Sequence, residues 1–242
     1  MKMLVFVFMC LTTLANAQAF PEASIKGIFA KNSFFLSETN LQDVFALQKD
    51  VFLKEINVTT RMGREWRIKY SLILPQQYSG PGNLIAPLLF GGISFGPKDT
   101  QSGQSAEKKP VFLDMEFYSQ RVELEMLAQM PTICQPKIFG EWQVAKLKLK
   151  GKPESGEEIT VSDNFNRFLF GLGVTGYERQ RNLMVKYEVA HTFSDRGWFV
   201  DLGGRYDGRM GFVDAGWRYR KSLVKELRTE WNGPYVGLGI NF

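Results

Sequence analysis

The side chains that could do chemistry in this chain are few. His191 is the single histidine, so a metal site built on several imidazoles is excluded. Ser194 follows three residues later, and a histidine base beside a serine nucleophile is one arrangement for acyl transfer. No carboxylate partner for His191 can be assigned. We therefore expect no enzyme activity, with a hydrolase that uses His191 and Ser194 as the alternative.

Neither the cysteines nor the glycine-rich segment indicates a cofactor site. Cys10 lies in a segment that we expect to be removed on export, so Cys134 is the one remaining thiol and a disulfide framework is excluded. Gly171-Leu-Gly173-Val-Thr-Gly176 matches the dinucleotide fingerprint as a string. That motif requires a helix to begin after it, whereas strand-like alternation follows here. We predict no metal and no cofactor.

Charged residues alternate with apolar ones in many segments of the chain. Successive side chains of a β-strand point to opposite faces, so each such segment has one charged and one apolar face. In a transmembrane barrel the apolar faces meet lipid and the charged faces meet the lumen. The inward set that we predict is Arg67, Lys69, Asp114, Glu116, Lys186, Glu188, Asp201, Arg205, Asp214 and Arg218.

The predicted lumen is narrow or plugged. A barrel of about ten strands leaves little space beyond its inward side chains. Buried charges without partners are strongly disfavoured, so the mixed-sign set should form an ion-pair network. The same alternation on a soluble exported β-sandwich, with the charged faces in water, is the alternative.

The segments that carry this alternation predict an all-β fold of about ten antiparallel strands. The last five are the most regular, and Asp207-Gly208 between two of them is a two-residue hairpin signal. Eight or twelve strands are the alternatives to an up-and-down barrel of ten. The predicted strands are 51–60, 66–74, 84–96, 111–128, 137–150, 168–174, 183–189, 198–206, 213–219 and 234–242.

One predicted strand, 111–128, changes phase along its length. Its apolar residues are odd-numbered at first, as in Met115, and even-numbered later, as in Leu124. A β-bulge near Ser119 would explain the change, because one extra residue moves the side chains that follow to the other face. A turn that divides the segment into two strands is the alternative.

The first residues resemble a secretory signal peptide. Lys2 precedes the apolar run from Leu4 to Leu14, and Ala15-Asn16-Ala17 provides small residues for cleavage. The apolar run is short of the roughly 20 residues that a membrane-spanning helix needs. We expect residues 1–17 to be removed, or 1–19 if cleavage follows Ala19, with a buried N-terminal helix as the alternative.

The last eight residues, Tyr235-Val-Gly237-Leu-Gly-Ile240-Asn-Phe242, resemble the C-terminal β-signal of bacterial outer-membrane proteins. That pattern has a polar residue, a glycine two positions on, a hydrophobic residue and a terminal aromatic. The resemblance implies an integral protein of the bacterial outer membrane. It also implies that the barrel assembly machinery reads Tyr235, Gly237, Ile240 and Phe242, and that the last strand closes against the first.

The domain prediction divides the mature chain into residues 18–50 and a barrel over 51–242. Thr39 to Lys49 could form a helix, either in the periplasm or inside the lumen. Alternation of strand direction places the links 97–110, 151–162 and 221–232 outside the cell, with the tight turns 61–64 and 194–197. It places 75–83, 131–136, 177–181 and Asp207-Gly208 in the periplasm.

Composition and charge agree with an exported barrel. The hydrophobic fraction is 44% and the mean hydropathy −0.18, which excludes a helical membrane protein. The net charge of +5 indicates an anionic partner, for which lipopolysaccharide phosphates suit an exported protein better than nucleic acid. The candidate contacts are Arg220, Lys221, Lys225 and Arg228, with Arg61, Arg64, Lys108 and Lys109 also near the predicted rim.

Two enzyme families of the outer membrane bear on His191. The pair of His191 and Ser194 loosely resembles lipid A deacylases, which carry a histidine base and a serine nucleophile at the outer rim. Those enzymes have His-x-Ser followed by Asn, whereas this chain has His191-Thr-Phe-Ser194-Asp195. An omptin-like protease needs an Asp-His pair at the lumen mouth, and His191 is predicted to face lipid. We therefore predict a structural, interaction or narrow-channel protein. We make no prediction of its oligomeric state.

Overall fold

The fold is seen in a computed structural model of the chain. The residues that it describes are 21–36, 39–41, 43, 47–63, 65–82, 88–90, 93–95, 111–128, 134–153, 159–193, 196–224 and 226–241. Among these residues, no helix is long and apolar enough to cross a membrane. The predicted cleavage site, Ser194, Lys225 and Phe242 lie outside the described residues. Of the predicted helix at 39–49, residues 42 and 44–46 also lie outside them, and Thr39–Asn40 form a short strand instead.

Ten long antiparallel strands form one closed sheet, as the alternation predicted. The short strand Thr39–Asn40 pairs with the end of the first long strand. The ten strands are β1 (Glu22–Leu36), β2 (Asp50–Met62), β3 (Trp66–Gly82), β4 (Val111–Leu127), β5 (Cys134–Pro153), β6 (Ile159–Gln180), β7 (Leu183–Thr192), β8 (Trp198–Asp207), β9 (Phe212–Val224) and β10 (Leu227–Asn241).

The sheet closes between its first and last strands. Each strand pairs with its neighbour in sequence, and β10 also pairs with β1, from Glu22 opposite Asn241 to Leu36 opposite Leu227. Closure leaves none of the ten strands with a free edge. Because the number of strands is even, the start of β1 and the end of β10 lie at the same end of the barrel, which is here named the terminal end. The opposite end is here named the loop end.

The strand count is right, but two of its members were predicted wrongly. The barrel begins at Glu22, within the segment 18–50 that was predicted to precede it. The predicted strand 84–96 is not part of the wall, because Leu88–Phe90 pairs with Ile93–Phe95 in a separate small hairpin. The prediction thus omits one strand of the wall, β1, and includes one segment that is not in the wall, so the predicted total of ten strands is still correct.

The shifted start also corrects the predicted sides of two links. The turn between β2 and β3 lies at the terminal end, with the turns after β4, β6 and β8, so 61–64 does not belong with the long loops. Residues 75–82 lie within β3 rather than in a link. Residues 221–224 and 227–232 likewise extend β9 and β10, and only 225–226 lie between those strands.

The outer wall carries an apolar belt that begins at the terminal end. Its side chains are exposed on the outside of the barrel, as Ile25 (63%) and Leu238 (64%) illustrate. Trp66 and Tyr206 lie towards the terminal end of the belt, and Trp142, Trp198 and Trp217 lie towards the loop end. Other members are Phe29, Phe52, Leu124, Ile138, Phe168, Phe170, Leu172, Val185, Leu202, Val213, Val236 and Ile240.

Above the belt the polarity of the wall inverts without a change of phase. On β4 the outward residues are Val122 and Leu124 in the belt, but Asp114 and Glu116 nearer the loop end. The inward residues of β4 are charged within the belt, as Glu123 is, and apolar nearer the loop end, as Met115 is. The pairing of β4 with β5 is continuous throughout, so the predicted bulge near Ser119 is wrong.

The irregularity lies instead on the neighbouring strand. The register between β3 and β4 shifts between Ile73 and Gln76 of β3, which places Leu74 and Pro75 in a bulge. Proline lacks an N–H for the ladder, and a bulge is one of the few places where a strand accommodates it. Tyr78 beyond the bulge therefore points inward again and is buried.

An apolar core, here named the apolar plug, fills the bore above the belt. Its members are 6% exposed or less, and Leu41 and Leu47 from the segment between β1 and β2 are among them. Asn32 donates a hydrogen bond to the Tyr78 hydroxyl at 2.6 Å beside it. The apolar plug comprises Phe34, Leu36, Leu41, Leu47, Tyr78, Met115, Phe117, Ala145, Leu147, Leu149, Val161, Phe165, Val224 and Leu227.

The strands differ in length, so the wall extends further at the loop end on some sides of the barrel than on others. The 10 residues of β7 span roughly the 25 Å of a membrane belt, whereas the 22 residues of β6 reach about twice as far. No strand of the β7–β8 hairpin contributes to the apolar plug among the described residues. Above that hairpin β9 lies directly against β6, and the Arg167 guanidinium donates to the Leu223 carbonyl oxygen at 3.3 Å.

Candidate functional site: the filled bore

Three glutamates, of which Glu123 and Glu125 are buried and Glu188 is partly buried, form the first ionic cluster in the bore with three cations; it is here named the glutamate cluster. The Lys137 ammonium lies 3.0 Å from Glu123, 2.5 Å from Glu125 and 2.5 Å from Glu188. Lys69 lies 2.7 Å from Glu125 and 2.9 Å from Glu188, and Arg67 also pairs with Glu125. Because β3 and β7 are on facing walls, these contacts cross the bore.

The three carboxylates of the glutamate cluster could in principle hold a metal ion, since their oxygens lie within 4.8 Å of one another. Lys137 already occupies the space between them, and its side chain is fully buried. Three cations against three carboxylates also leave no net charge for an ion to neutralise. The cluster is therefore a self-compensated ionic contact, as buried charges require.

A second cluster surrounds Arg218, which forms ion pairs with Asp201 on β8 and Glu55 on β2. The Tyr235 hydroxyl donates to the other Asp201 oxygen at 2.7 Å. Room for the Tyr235 ring comes from Gly216 on the neighbouring strand β9 and from Gly203 on β8. A Cβ at Gly203 or Gly216 would lie 2.5 or 2.9 Å from the Tyr235 oxygen.

Asp214 joins two lysines below this cluster. Its carboxylate lies 2.8 Å from the Lys26 ammonium on β1 and 2.7 Å from that of Lys186 on β7. Lys26 also lies 4.5 Å from the centre of the Tyr235 ring, a cation–π contact. Asp214 packs over Gly237, where a Cβ would come within 2.1 Å of the carboxylate oxygen.

Arg205 connects the β8 wall to both strands of the closing seam. It lies 2.9 Å from Glu22 on β1 and donates to Asn241 of β10 at 3.0 Å. It also pairs with Asp207 at 2.6 Å and stacks over the Phe212 ring at 3.6 Å. These contacts tie the first and last strands together at the terminal end.

Polar contacts continue upward until the apolar plug begins. Arg220 on β9 lies 2.6 Å from Glu141 on the facing strand β5. Ser222 donates to Gln143 at 2.7 Å one step higher. Ala145 and Leu147 of the apolar plug follow Gln143 on the same face of β5. The bore is thus crossed by ion pairs within the belt and closed by packed hydrocarbon above them.

The structure brings together eight of the ten predicted lumen charges in these contacts. Asp114 and Glu116 are the exceptions, because both lie on the outer face of β4, and their predicted inward orientation is corrected. The error follows from the inverted polarity above the belt. Partners that the prediction missed are Lys26, Glu55, Arg121, Glu123, Glu125, Lys137, Glu141 and Arg220.

The predicted lipopolysaccharide contacts separate into two groups. Arg220 is buried inside the bore, so its proposed role at the outer rim is wrong. Lys221 and Arg228 lie on the outer face, where Arg228 stacks over Phe35 at 3.8 Å. An outward row missed from the sequence, Lys146, Lys148 and Lys150, lies on β5 immediately beyond Trp142.

His191 faces outward on β7, and its ring is held by neighbours. Its Nδ1 lies 2.8 Å from the Gly197 carbonyl oxygen, and the ring packs on Trp198 with centroids 4.5 Å apart. No carboxylate among the described residues contacts His191. Gly171, Gly173 and Gly176 lie within β6, so the helix that a nucleotide-binding motif requires is not formed after them.

The residues of the C-terminal signal lie on both faces of β10. Tyr235 and Gly237 face the bore, where they contact Asp201 and Asp214, and Ile240 faces outward. The strand pairs with β1 along its length. The structure thus gives Tyr235 and Gly237 packing roles in the closed barrel.

The closed antiparallel sheet, the exposed apolar belt and the ionic bore define the class of the protein. Exposed side chains of this hydrophobicity over the whole circumference are compatible with lipid and not with water. Aromatic residues at the edges of such a belt are typical of barrels of the outer membrane. The chain is therefore an integral β-barrel of the outer-membrane type.

No protein-family profile and no curated protein matches the chain in sequence. Ail of Yersinia pestis, solved with the heparin analogue sucrose octasulfate, matches with a TM-score of 0.41 at 12% identity over 92% of this chain and 99% of that one. Neisserial surface protein A gives 0.37 at 12% over 93% and 97%. A major outer membrane protein of Thermus thermophilus gives 0.39 at 12% over 93% and 99%. These values establish neither a shared family nor a shared ligand.

Proposed function

We propose that this protein is a sealed barrel of the bacterial outer membrane, with a structural or interaction role rather than a conducting or enzymatic one. The observation that carries the proposal is the double filling of the bore. Ion pairs such as Lys69 with Glu188 join facing walls within the belt. The apolar plug closes the bore again above them.

Each layer opposes the passage of solutes by a different physical means. In the ionic layer, a solute would have to separate buried pairs, which costs several kcal/mol for each charge left without a partner. In the apolar plug, a polar solute would lose its water without gaining hydrogen bonds. A small-solute channel would need rearrangement of both layers.

The orientation that we propose places the terminal end in the periplasm. Barrels of this class have short periplasmic turns and longer external loops. The link between β3 and β4, residues 83–110, is the longest of the connections and lies at the loop end. The polar outer wall above the belt would then stand outside the cell, available for contact with partners.

Lipopolysaccharide is the partner that the outer surface favours. Lys146 and Lys148 project from β5 immediately beyond the aromatic edge of the belt, which is the level of lipid headgroups. Lys221 and Arg228 lie on the outer face of β9 and β10 at the other side of the barrel. Ammonium and guanidinium groups form charge-assisted hydrogen bonds with phosphate.

The C-terminal strand supports a proposal on assembly. The resemblance of residues 235–242 to the β-signal suggests recognition by the barrel assembly machinery. Pairing of β10 with β1 makes this strand the one that closes the sheet. Removal of residues 1–17 as a signal peptide belongs to the same route of export.

The hydrolase alternative is disfavoured by the surroundings of His191. Its Nδ1 is engaged by a backbone carbonyl, and its ring is packed on Trp198. Mass spectrometry of lipid A from cells that express the protein should find every acyl chain retained. A deacylated product that disappears in His191→Ala would replace the sealed-barrel proposal with an enzyme.

Liposome swelling tests the sealed state with neutral solutes. Proteoliposomes that contain the folded protein should swell in iso-osmotic arabinose or glycine no faster than empty liposomes do. A known porin reconstituted at the same density is the positive control. Rapid swelling would contradict the proposal.

A further inference from the structure

The bore is not filled at its terminal end. A cavity of about 390 Å³ opens there, below the Arg218 and Tyr235 layer, and is here named the vestibule. Its walls are mostly polar and include Asn57, Thr59 and Arg61 of β2. Because the ionic layer and the apolar plug close the bore above it, the vestibule is a blind pocket.

The vestibule carries an excess of positive charge. Nine cationic side chains line it, against six carboxylates. Five further buried groups pair with the lining residues, either directly or, for Arg220, through Glu141, and including them leaves an excess of two positive charges. The five are Lys137, Arg220, Glu55, Glu125 and Glu141.

Arg61 contributes one of these excess charges, and it lies beside a second arginine, Arg67. Arg61 on β2 is directly opposite Arg67 on β3, and both line the vestibule. Arg67 pairs with Glu125 through Nε, but its Nη2 is buried without a hydrogen-bond partner. Arg61 forms no ion pair with any residue that the structure describes. Like charges directly opposite on neighbouring strands destabilise a sheet unless something lies between them.

We propose that the vestibule binds a multiply charged oxyanion of the size of phosphate between Arg61 and Arg67. Such an ion would accept hydrogen bonds from the guanidinium groups of both residues and would relieve their mutual repulsion. The Thr59 hydroxyl is a neighbouring donor on the same face of β2. The site shares Arg67 with the glutamate cluster, but phosphate binding there does not depend on whether the bore is sealed, and the site is separate from the outer lysine row.

The position of the site identifies the source of the anion. The vestibule lies inside the hydrogen-bonded wall, so the acyl chains of a lipid cannot accompany a headgroup into it. Its lining residues near the strand ends, such as Glu22, Arg179 and Asp207, place its opening at the terminal end. The ligand is therefore a free ion from the aqueous phase on that side, not a lipid phosphate.

Isothermal titration of the folded full-length protein in detergent with inorganic phosphate tests the proposal. Saturable binding with one site is expected, and sulfate should compete while chloride at equal ionic strength should not. Arg61→Gln should weaken phosphate binding at least about tenfold, the loss expected for one charge-assisted hydrogen bond. Arg61 has no ion pair to break, so this variant should fold normally.

The control is Arg209→Gln, which makes the same change of charge at the same end of the barrel. Arg209 is exposed in the turn between β8 and β9 and does not line the vestibule. Its phosphate affinity should equal that of the wild type. Heat-modifiable gel mobility verifies that both variants are folded.

Three results would overturn the inference. They are the absence of saturable phosphate binding by the wild type, equal binding by Arg61→Gln and the wild type, and binding that requires added lipopolysaccharide. The last would assign the phosphate to a lipid headgroup on the outer surface. None of these results bears on whether the bore conducts.

Discussion

Lys69 on β3 and Glu188 on β7 meet across the bore, with the lysine Nζ 2.9 Å from both carboxylate oxygens. The two residues are 119 positions apart in sequence and belong to facing walls. Glu125 and Lys137 extend the contact to β4 and β5. One ionic unit therefore connects four strands, and it should stabilise the barrel as well as obstruct it.

Glu125→Gln should destabilise the barrel strongly. Glu125 is the shared partner of Arg67, Lys69 and Lys137, so its neutralisation leaves an uncompensated positive charge in a buried site. The expected loss is about 3–5 kcal/mol of the free energy of unfolding. Urea unfolding in lipid vesicles, followed by tryptophan fluorescence, measures it.

Glu116→Gln is the matched control on the same strand. Glu116 lies on the outer face above the belt, and its substitution should change stability by less than about 0.5 kcal/mol. Equal effects of the two variants would show that the glutamate cluster carries no special stability.

Gly237→Ala should impair barrel closure. A Cβ there would lie 2.1 Å from the Asp214 carboxylate and 2.9 Å from Lys26 Cγ, so the contact between β9, β10 and β1 would have to open. Overpacking of this kind costs about 1–3 kcal/mol. The fraction of protein with the compact, heat-modifiable mobility on gels should fall.

Gly204→Ala provides the comparison for this variant. Gly204 faces outward on β8, and the nearest atom to its Cβ would be a carbonyl oxygen 4.0 Å away. It should fold as the wild type does. If Gly237→Ala folds equally well, the glycine of the signal is required for recognition alone and not for packing.

Spin labels on β4 should locate the edge of the membrane. A label at Leu124 should be accessible to oxygen dissolved in lipid, and a label at Glu116 to a water-soluble nickel complex. Both positions are on the outer face of the same strand, in a protein whose exposed Cys134 has first been replaced by serine. Lipid exposure at both positions would refute the inversion of polarity above the belt.

The same inversion explains which parts of the fold could be predicted from the sequence. The strands from β6 to β10 were recognised because their belt segments alternate cleanly, as in Val213 to Tyr219 with Arg218 inward. β1 was missed because it carries apolar residues on both faces, with Ile28 and Phe34 inside and Ile25 outside. A rule that assigns apolar residues to lipid holds only within the belt.

The charges of the bore were predictable as a set but not as pairs. Alternation identifies Lys69 and Glu188 as inward residues, whereas their contact depends on the closure of the sheet and on its register. The inward prediction for Asp114 is wrong because this residue lies on the part of β4 above the belt, where the outer face is polar. The prediction of Arg220 at the outer rim is wrong because it assumes a loop over 221–232. β9 continues to Val224, and Arg220 faces the bore within it.

Neutralising the outer lysine row should reduce bound lipopolysaccharide. The double variant Lys146→Gln/Lys148→Gln removes two cations at the headgroup level. Lipopolysaccharide that copurifies with the barrel should fall several-fold when measured by mass spectrometry. Arg181→Gln/Arg209→Gln removes equal charge at the terminal end and should leave the amount unchanged; a loss in both would indicate a general charge effect.

Single-channel recording in planar lipid bilayers tests the sealed bore most directly. Insertion of the folded barrel should give no conductance steps, or steps far smaller than those of an open porin, because the glutamate cluster and the apolar plug both obstruct the path. Large, stable open steps from the wild-type protein at moderate voltage would contradict the account.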